Sequence, residues 1–433
     1  MTSADDGTAR RPRGFLVPYI EIFRIPQAWR FSLAGVIGRM PMSMAGLGMV
    51  LLISASTGRY DVAGSVSASG SLGMAACTPL FGRLVDRYGQ ARVIVPMACV
   101  FACGVAGLVA AVELGAPTWA YFPPGIVAGS TMPALGPMSR ARWTALLAGT
   151  PRLHTAFSLE SVADELCFVL GPAAVTLLAT DVHPAAGICA AAILCAVGTL
   201  WFASQRGTEP AISPSPWPAP AGPAPGSPSP AVAPSPPAAA PVRRFSLASP
   251  ALPVLIPVYV FLGAMFVTID LSTVAFAAHF GHKALSGLIL GTYALGSATG
   301  GLWYGTRTFR SPASKRLAVT LCATVAGVCT FWAMPSLQLL VVVIFACGMT
   351  IAPSLIAGYS ILEATVRPGR VTEAMAWLGT GIYVGVAVGS TATGFILDAL
   401  GPRWGYVIAA CYGVVAVAVY VAGLFLTRCL NDA

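Results

Sequence analysis

Charge is scarce in this chain. Only 9% of its 433 residues are charged, where a soluble domain carries roughly 25%. With 56% hydrophobic residues beside that scarcity, an ordinary water-soluble globule is excluded and a membrane protein is expected. There is no phosphate-cradling loop, no metal-ligand set and no nucleophile beside a base. Apart from one proline-rich stretch the loops are too short for a catalytic domain, so no catalytic residue, metal or cofactor is assigned and no enzyme is expected. The four histidines, His154, His183, His279 and His282, fall in or next to loops, and the HFGH pair supplies two ligands where a closed zinc site needs four. The opening MTSADDGTARRPRG lacks the apolar centre and small-residue cleavage site of a secretory signal, so the first apolar run is expected to remain in the mature chain.

Long apolar runs are abundant. Twelve lie between Phe31 and Phe425, at about 31–55, 62–82, 91–113, 118–138, 155–180, 184–204, 252–276, 284–305, 316–335, 337–361, 373–398 and 403–427. Each is near the 20 residues that cross a hydrocarbon core of roughly 30 Å as a helix. An all-α membrane protein with twelve transmembrane helices is the expectation. The eleven cysteines lie in or at the edges of these runs and read as small buried hydrophobes, with no disulfide framework. Twenty-one of the 25 basic residues fall on alternate connecting segments that include both termini, three on the others, and Arg39 within a run. The positive-inside rule then puts both termini in the cytoplasm of a multi-pass plasma-membrane protein. The net charge of +9 is accounted for by orientation and anionic lipid, not by nucleic acid.

From Gln205 to Pro250 the composition shifts to SPSPWPAPAGPAPGSPSPAVAPSPPAAAP, an extended tether that cannot build a core. It divides the runs six and six: a cytoplasmic segment 1–30, a bundle 31–204, the linker 205–250, a second bundle 251–427 and a tail 428–433. The halves echo each other. Gly58, Gly64, Gly73 and Gly82 recur as Gly281, Gly287, Gly296 and Gly305, all displaced by 223 residues. Fainter echoes pair Gly129 and Pro133 with Gly348 and Pro353, residues that can kink or loosen helices. Two pseudo-symmetric six-helix bundles with a central site between them are implied.

The loop after the second run reads GRLVDRYGQAR. It resembles the signature of the major facilitator superfamily at this position, with Gly82, Asp86, Arg87, Gly89 and Arg92 on the matching places. The resemblance implies the major facilitator fold, a small-molecule substrate in a lipid bilayer, a monomer, and a gate in which Asp86 meets the start of the eleventh span near Thr372. The equivalent loop, GLWYGTRTFRS, has Phe309 where the acid would stand, so the relay is expected on one side only. Gly171 and Pro172 further resemble part of the antiporter signature of drug and proton exchangers, but Cys167, Val175 and Thr176 stand where that signature has glycine.

Carboxyl groups inside apolar runs need a partner, water or a proton, since a charge near the bilayer centre costs roughly 2.5 to 3.5 kcal/mol on insertion scales. Arg39 lies about eight residues into the first span and Asp164 and Glu165 about nine or ten into the fifth, so at 1.5 Å per residue all three are roughly 12 to 15 Å deep. An Arg39 pair with Asp164 or Glu165, or with substrate, is compatible with that depth. Glu160 and Asp164 stack on one helix face, whereas Glu165 is turned about 100° away. Two stacked acids that share a proton would serve proton coupling. An Arg–carboxylate network that braces the first half, or contact with a cationic substrate, remains open. Asp270, toward the outer end of the seventh span, is a candidate for substrate contact or an outer gate. Met40, Met42, Met44, Tyr121, Phe122, Met265, Phe266 and Tyr359 would suit an adaptable apolar ligand.

The function expected is secondary active transport by alternating access, as proton-coupled export of a small organic molecule. An importer or facilitator of the same fold is the alternative, and a non-transporting membrane sensor or membrane enzyme the alternative of another class.

Overall fold

A computed structural model describes residues 17–211, 249–282, 285–367 and 369–431. The extreme N-terminus with its three arginines, most of the proline-rich linker, Lys283 and the last two residues lie outside the described residues. Among the described residues all regular structure is helical. A short helix α1, Val17–Phe23, precedes α2, Ala28–Arg39, and α3, Pro41–Thr57, which together make the first membrane passage. The remaining passages of the first half are α4, Tyr60–Tyr88; α5, Gln90–Glu113; the broken pair α6, Phe122–Thr131, and α7, Leu135–Leu147; α8, Arg152–Asp181; and α9, Ala186–Ser204. The second half contains α10, Leu252–His279; α11, Ser286–Gly305; α12, Ala313–Val328; the pair α13, Leu337–Gly348, and α14, Ile351–Thr365; α15, Val371–Leu400; and α16, Pro402–Asn431. This is a twelve-passage all-α membrane fold in two six-helix bundles. Nine of the passages are long and apolar enough to cross a membrane by composition alone. The exceptions are α4 and α11, rich in Gly and Ser, and the broken α6–α7.

Two of the breaks have local causes. Pro41 stands at the first position of α3, where its missing N–H is not needed. Pro133 separates α6 from α7, with Met132 in an extended conformation. Pro172, by contrast, sits inside an unbroken α8.

The 223-residue repeat is structural. Gly58 and Gly281 both take positive φ, 66° and 77°, in the turns that lead into α4 and α11; a side chain there would be strained. Gly73 packs α4 against Ser130 of α6, and Gly296 packs α11 against Phe345 and Gly348 of α13. Gly129 and Gly348 answer from the other side, against Gly70 and Tyr293. Gly82 abuts the backbone of Thr372 and Glu373, and Gly305 abuts Ser158 and Tyr19. Each glycine pair therefore does one job twice, and the last pair brings the halves together. That contact lies on the end of the bundle that holds Arg83, Arg87, Arg92 and Arg152, called here the basic face. Toward the other end a Cβ at Gly64, Gly287, Gly291 or Gly394 would meet no atom within 4 Å.

At the start of the proline-rich stretch, residues 205–209 are bonded to the first half. Arg142, fully buried, donates to the carbonyls of Phe202 at 3.0 Å and Gln205 at 3.1 Å, to Thr208 Oγ1 at 2.9 Å and to Gln90 Oε1 at 2.7 Å. Glu209 accepts from the amide of Ala91 at 3.2 Å.

Candidate functional site

Arg39 ends α2 on the face turned toward α8. Gly35, one turn earlier, makes room for its side chain, and Nε returns to the Gly35 carbonyl at 3.1 Å. Its two terminal nitrogens divide between acids one turn apart on α8. Nη1 donates to Asp164 Oδ1 at 2.7 Å, and Nη2 pairs with Glu160 Oε2 and reaches Ser139 Oγ at 3.2 Å. Glu160 also accepts from Trp143 Nε1 at 2.8 Å and from Ser32. Arg39 is 2% exposed and Glu160 0%, so both charges are removed from water and satisfied by each other and by neutral donors.

A second cation enters from α7. Arg140 donates to Asp164 Oδ2 at 2.7 Å, with Gly136 giving it space. Its guanidinium also lies 4.3 Å from the ring centre of Tyr359 on α14, a cation–π contact between the halves. Position 140 is expected on a connecting segment, and the stacked Glu160 and Asp164 either to share a proton or to join an Arg–carboxylate network. With two arginines against two carboxylates, both acids can ionise, so that reason for a shared proton is removed. The break at Pro133 restarts the helix at Leu135 and turns position 140 inward.

Glu165 stands apart. It points away from Arg39 and toward the second half, where it accepts the hydroxyl of Ser297 on α11 at 2.6 Å. Asp270 of α10 is exposed. Neither acid has an ion pair among the described residues. Tyr293, one turn before Ser297 on α11, is 7% exposed, and its hydroxyl has no hydrogen-bond partner among the described residues.

On the basic face, Asp86 Oδ1 and Oδ2 accept from the backbone amides of Thr372 at 3.2 Å and Glu373 at 2.9 Å, the first residues of α15. The positive end of a helix meets a carboxylate there. Glu373 turns back to Arg83 of α4 and Arg370. Arg87 and Arg92 are not in this ion-pair set; Arg87 packs over the ring of Tyr88 at 5.2 Å. Gly89, with φ 93°, forms the turn between α4 and α5.

The opposite corner lacks an acid and uses other chemistry, which sequence reasoning missed. His154 Nε2 hydrogen-bonds the carbonyl of Tyr304 at 2.8 Å, and Thr155 Oγ1 donates to that of Gly305 at 2.7 Å. Phe309, which replaces the acid, packs on Tyr304 at 4.6 Å and on His154 at 5.6 Å. Thus the free carbonyls at the end of α11 are satisfied by the start of α8, the mirror of a carboxylate meeting free amides. Tyr19 of α1 adds a bond to the Leu302 carbonyl at 2.8 Å. The hollow left around Asp86 is about 120 Å³, room for a few waters at roughly 30 Å³ each.

The expected apolar ligand surface is largely packing. Met44 and Met265 are 0% exposed and Tyr121 3%, each inside a hydrophobic cluster. Phe266 stays half-buried, one turn before Asp270 on α10.

A family model described as Major Facilitator Superfamily matches residues 31–310 and again 254–428. A solved structure of the human organic anion transporter MFSD10 (TETRAN) superposes with a TM-score of 0.66 at 15% identity, over 91% of this chain and 100% of that one. A bacterial homologue of the iron transporter ferroportin in an outward-facing state gives 0.69 at 13% identity, over 92% and 98%. A bacterial homologue of ferroportin in an outward-facing state with soaked iron gives 0.67 at 11% identity, over 92% and 98%. At these identities the likeness is one of fold. Among curated proteins none matches by sequence.

Proposed function

The chain belongs to the major facilitator superfamily, and from that premise we propose that this membrane transporter works by alternating access and exports a small organic molecule in exchange for protons. The observation that carries the reading is the Glu165–Ser297 bond at 2.6 Å. Glu165 is the one acid of the Arg39 cluster without an arginine, and its partner belongs to the half that must move. A carboxyl group so placed has reason to change protonation as the halves rock. Glu160 and Asp164, each held by arginine, serve as the brace that keeps α2, α7 and α8 in register.

The basic face is taken as cytoplasmic, with both termini on that side of the plasma membrane and the protein acting as a monomer. The conformation described, joined at Asp86 on the basic face, is then read as the state that faces outward. Glu165 takes a proton there, and separation of α8 from α11 releases it inward. Each proton supplies about 2.3 kcal/mol per 100 mV of membrane potential plus about 1.4 per pH unit. Arg87 and Arg92 contribute to orientation and to the lipid surface. Gly171 gives close packing of α8 on Ser43 and Met44 of α3, so that α8 moves with the first half.

The test is proton release when substrate is added at saturation to proteoliposomes. Glu165→Gln should abolish it, while wild type shows it. Proton release that persists in Glu165→Gln defeats the coupling assignment. The even match of arginines and acids around Asp164 favours the second reading, a facilitator or importer with structural charges, which predicts transport with no proton flux.

A further inference from the structure

We propose that α1 is a latch that holds the two halves together on the basic face, with the Tyr19 hydroxyl as its catch. The helix spans only Val17–Phe23. Too short to be stable by itself, it takes its place from what it touches. Tyr19 and Ile22, three residues apart and so on one side of the helix, are 5% and 0% exposed, whereas Ile20 and Phe23 on the other side are exposed. The helix packs against α8 and α2, and Ile22 belongs to the hydrophobic core that includes Phe31 and Phe157. Glu21 pairs with Arg152 at the start of α8 at 3.2 Å. Only residues 24–27 separate α1 from α2. By chain and by contact, α1 therefore belongs to the first half. Tyr19 reaches across to the second, where its hydroxyl donates to the carbonyl of Leu302 on α11 at 2.8 Å.

The place of that bond gives it a consequence. α11 ends at Gly305, so the carbonyls of residues 302–305 are the four that the helix leaves without a partner of its own. Those of Trp303 and Tyr304 accept from the amides just beyond, Thr306 and Arg307, each at 3.2 Å. Those of Leu302 and Gly305 are met from the first half, by Tyr19 and by Thr155. A Cβ at Gly305 would strike both the Tyr19 hydroxyl and Ser158, so α1, α8 and α11 meet at one point. When the halves part on this face, α1 leaves with α8 and the Leu302 carbonyl loses its donor. The bond thus favours the joined state, by about two- to tenfold for a neutral hydrogen bond. It adds to what Asp86 does with the first amides of α15 at the other corner of the same face.

The inference rests on alternating access only for the movement of the halves; the latch is a contact that can be removed by itself. The experiment is hydrogen exchange read by mass spectrometry on the full chain in lipid nanodiscs, wild type against Tyr19→Phe, which keeps the ring and deletes the donor. The peptide to read is the first turn of α15, because its amides of Thr372 and Glu373 are held by Asp86 and not by Tyr19. Those amides should exchange about two- to tenfold faster in the variant, with a melting temperature near wild type. Faster exchange confined to the start of α8 and the end of α11 would make Tyr19 a seal of its own corner only and overturns the proposal; so does exchange unchanged throughout. Gly82→Val and Gly64→Val, read on the same peptide, report whether the halves rock at all. Opposite shifts in those two with Tyr19→Phe unmoved remove the latch and leave alternating access standing. A shift in Tyr19→Phe with both glycine variants moving alike leaves the latch and removes alternating access.

Discussion

Glu165 and Ser297 face each other across the two bundles, joined at 2.6 Å by a bond in which the hydroxyl donates and the carboxylate accepts. Deleting the hydroxyl removes a charge-assisted bond, worth about 1.5 to 3 kcal/mol in general. Ser297→Ala should therefore move the pH midpoint of transport upward, because the ionised acid loses a donor that favours it. The measurement is substrate flux in proteoliposomes from pH 5 to 9. An unchanged midpoint would take Glu165 out of the titrating step.

Arg39 is a different kind of residue. Its guanidinium serves Glu160, Asp164 and Ser139 together, out of water. Arg39→Ala strands a fully buried carboxylate, a change that generally costs about 3 to 5 kcal/mol. Arg39→Lys should rescue little, as one ammonium cannot reproduce a planar fork that reaches two acids. Thermal unfolding in detergent, followed by tryptophan fluorescence, should show both variants melting several degrees below wild type. A melting point within one degree would mean that the network does not brace the first half.

How far such residues were legible beforehand depends on the kind of fact involved. Depth along a helix can be counted, so Arg39 and the acids of α8 were readable as neighbours in height, and the 100° turn between Asp164 and Glu165 separated their faces. Arg140 was not readable as an inner residue. A hydropathy run continues through Pro133 without recording that the helix restarts at Leu135. The partner of Asp86 came by resemblance; nothing in GRLVDRYGQAR itself names the start of α15. The contacts of His154 and Thr155 with the end of α11, and of Glu165 with Ser297, depend on how the halves dock. Glycines 223 residues apart marked only a repeat in the chain; that Gly82 and Gly305 lie where the halves meet is visible in the structure alone.

Asp86 makes a further case for measurement. Its two oxygens hold the first amides of α15, and a carboxylate at a helix start contributes roughly 0.3 to 2 kcal/mol. Asp86→Asn should lower turnover several-fold and leave substrate affinity within about twofold, since Asp86 lies on the basic face and not at the Glu165–Ser297 contact. Steady-state flux together with equilibrium binding separates the two. Wild-type turnover would remove the gate assignment.

The repeated glycines allow a test of the cycle itself. Gly82 sits where a Cβ would strike the backbone of Glu373, whereas a Cβ at Gly64, on the same helix, meets open space. If the halves rock about the basic face, the far end closes in the other state, and Gly64 with its counterpart Gly287 is then the pair that needs to be small. Substitutions at the two positions should act with opposite sign. Gly82→Val opposes closure at the basic face, so the amides of Thr372 and Glu373 should exchange hydrogen faster. Gly64→Val leaves the described state untouched and blocks its alternative, so the same amides should exchange more slowly, and transport should fall in both variants. Hydrogen exchange read by mass spectrometry over the first turn of α15 gives the sign directly. A shift in the same direction for both variants would show that the two glycines do not flank opposite gates.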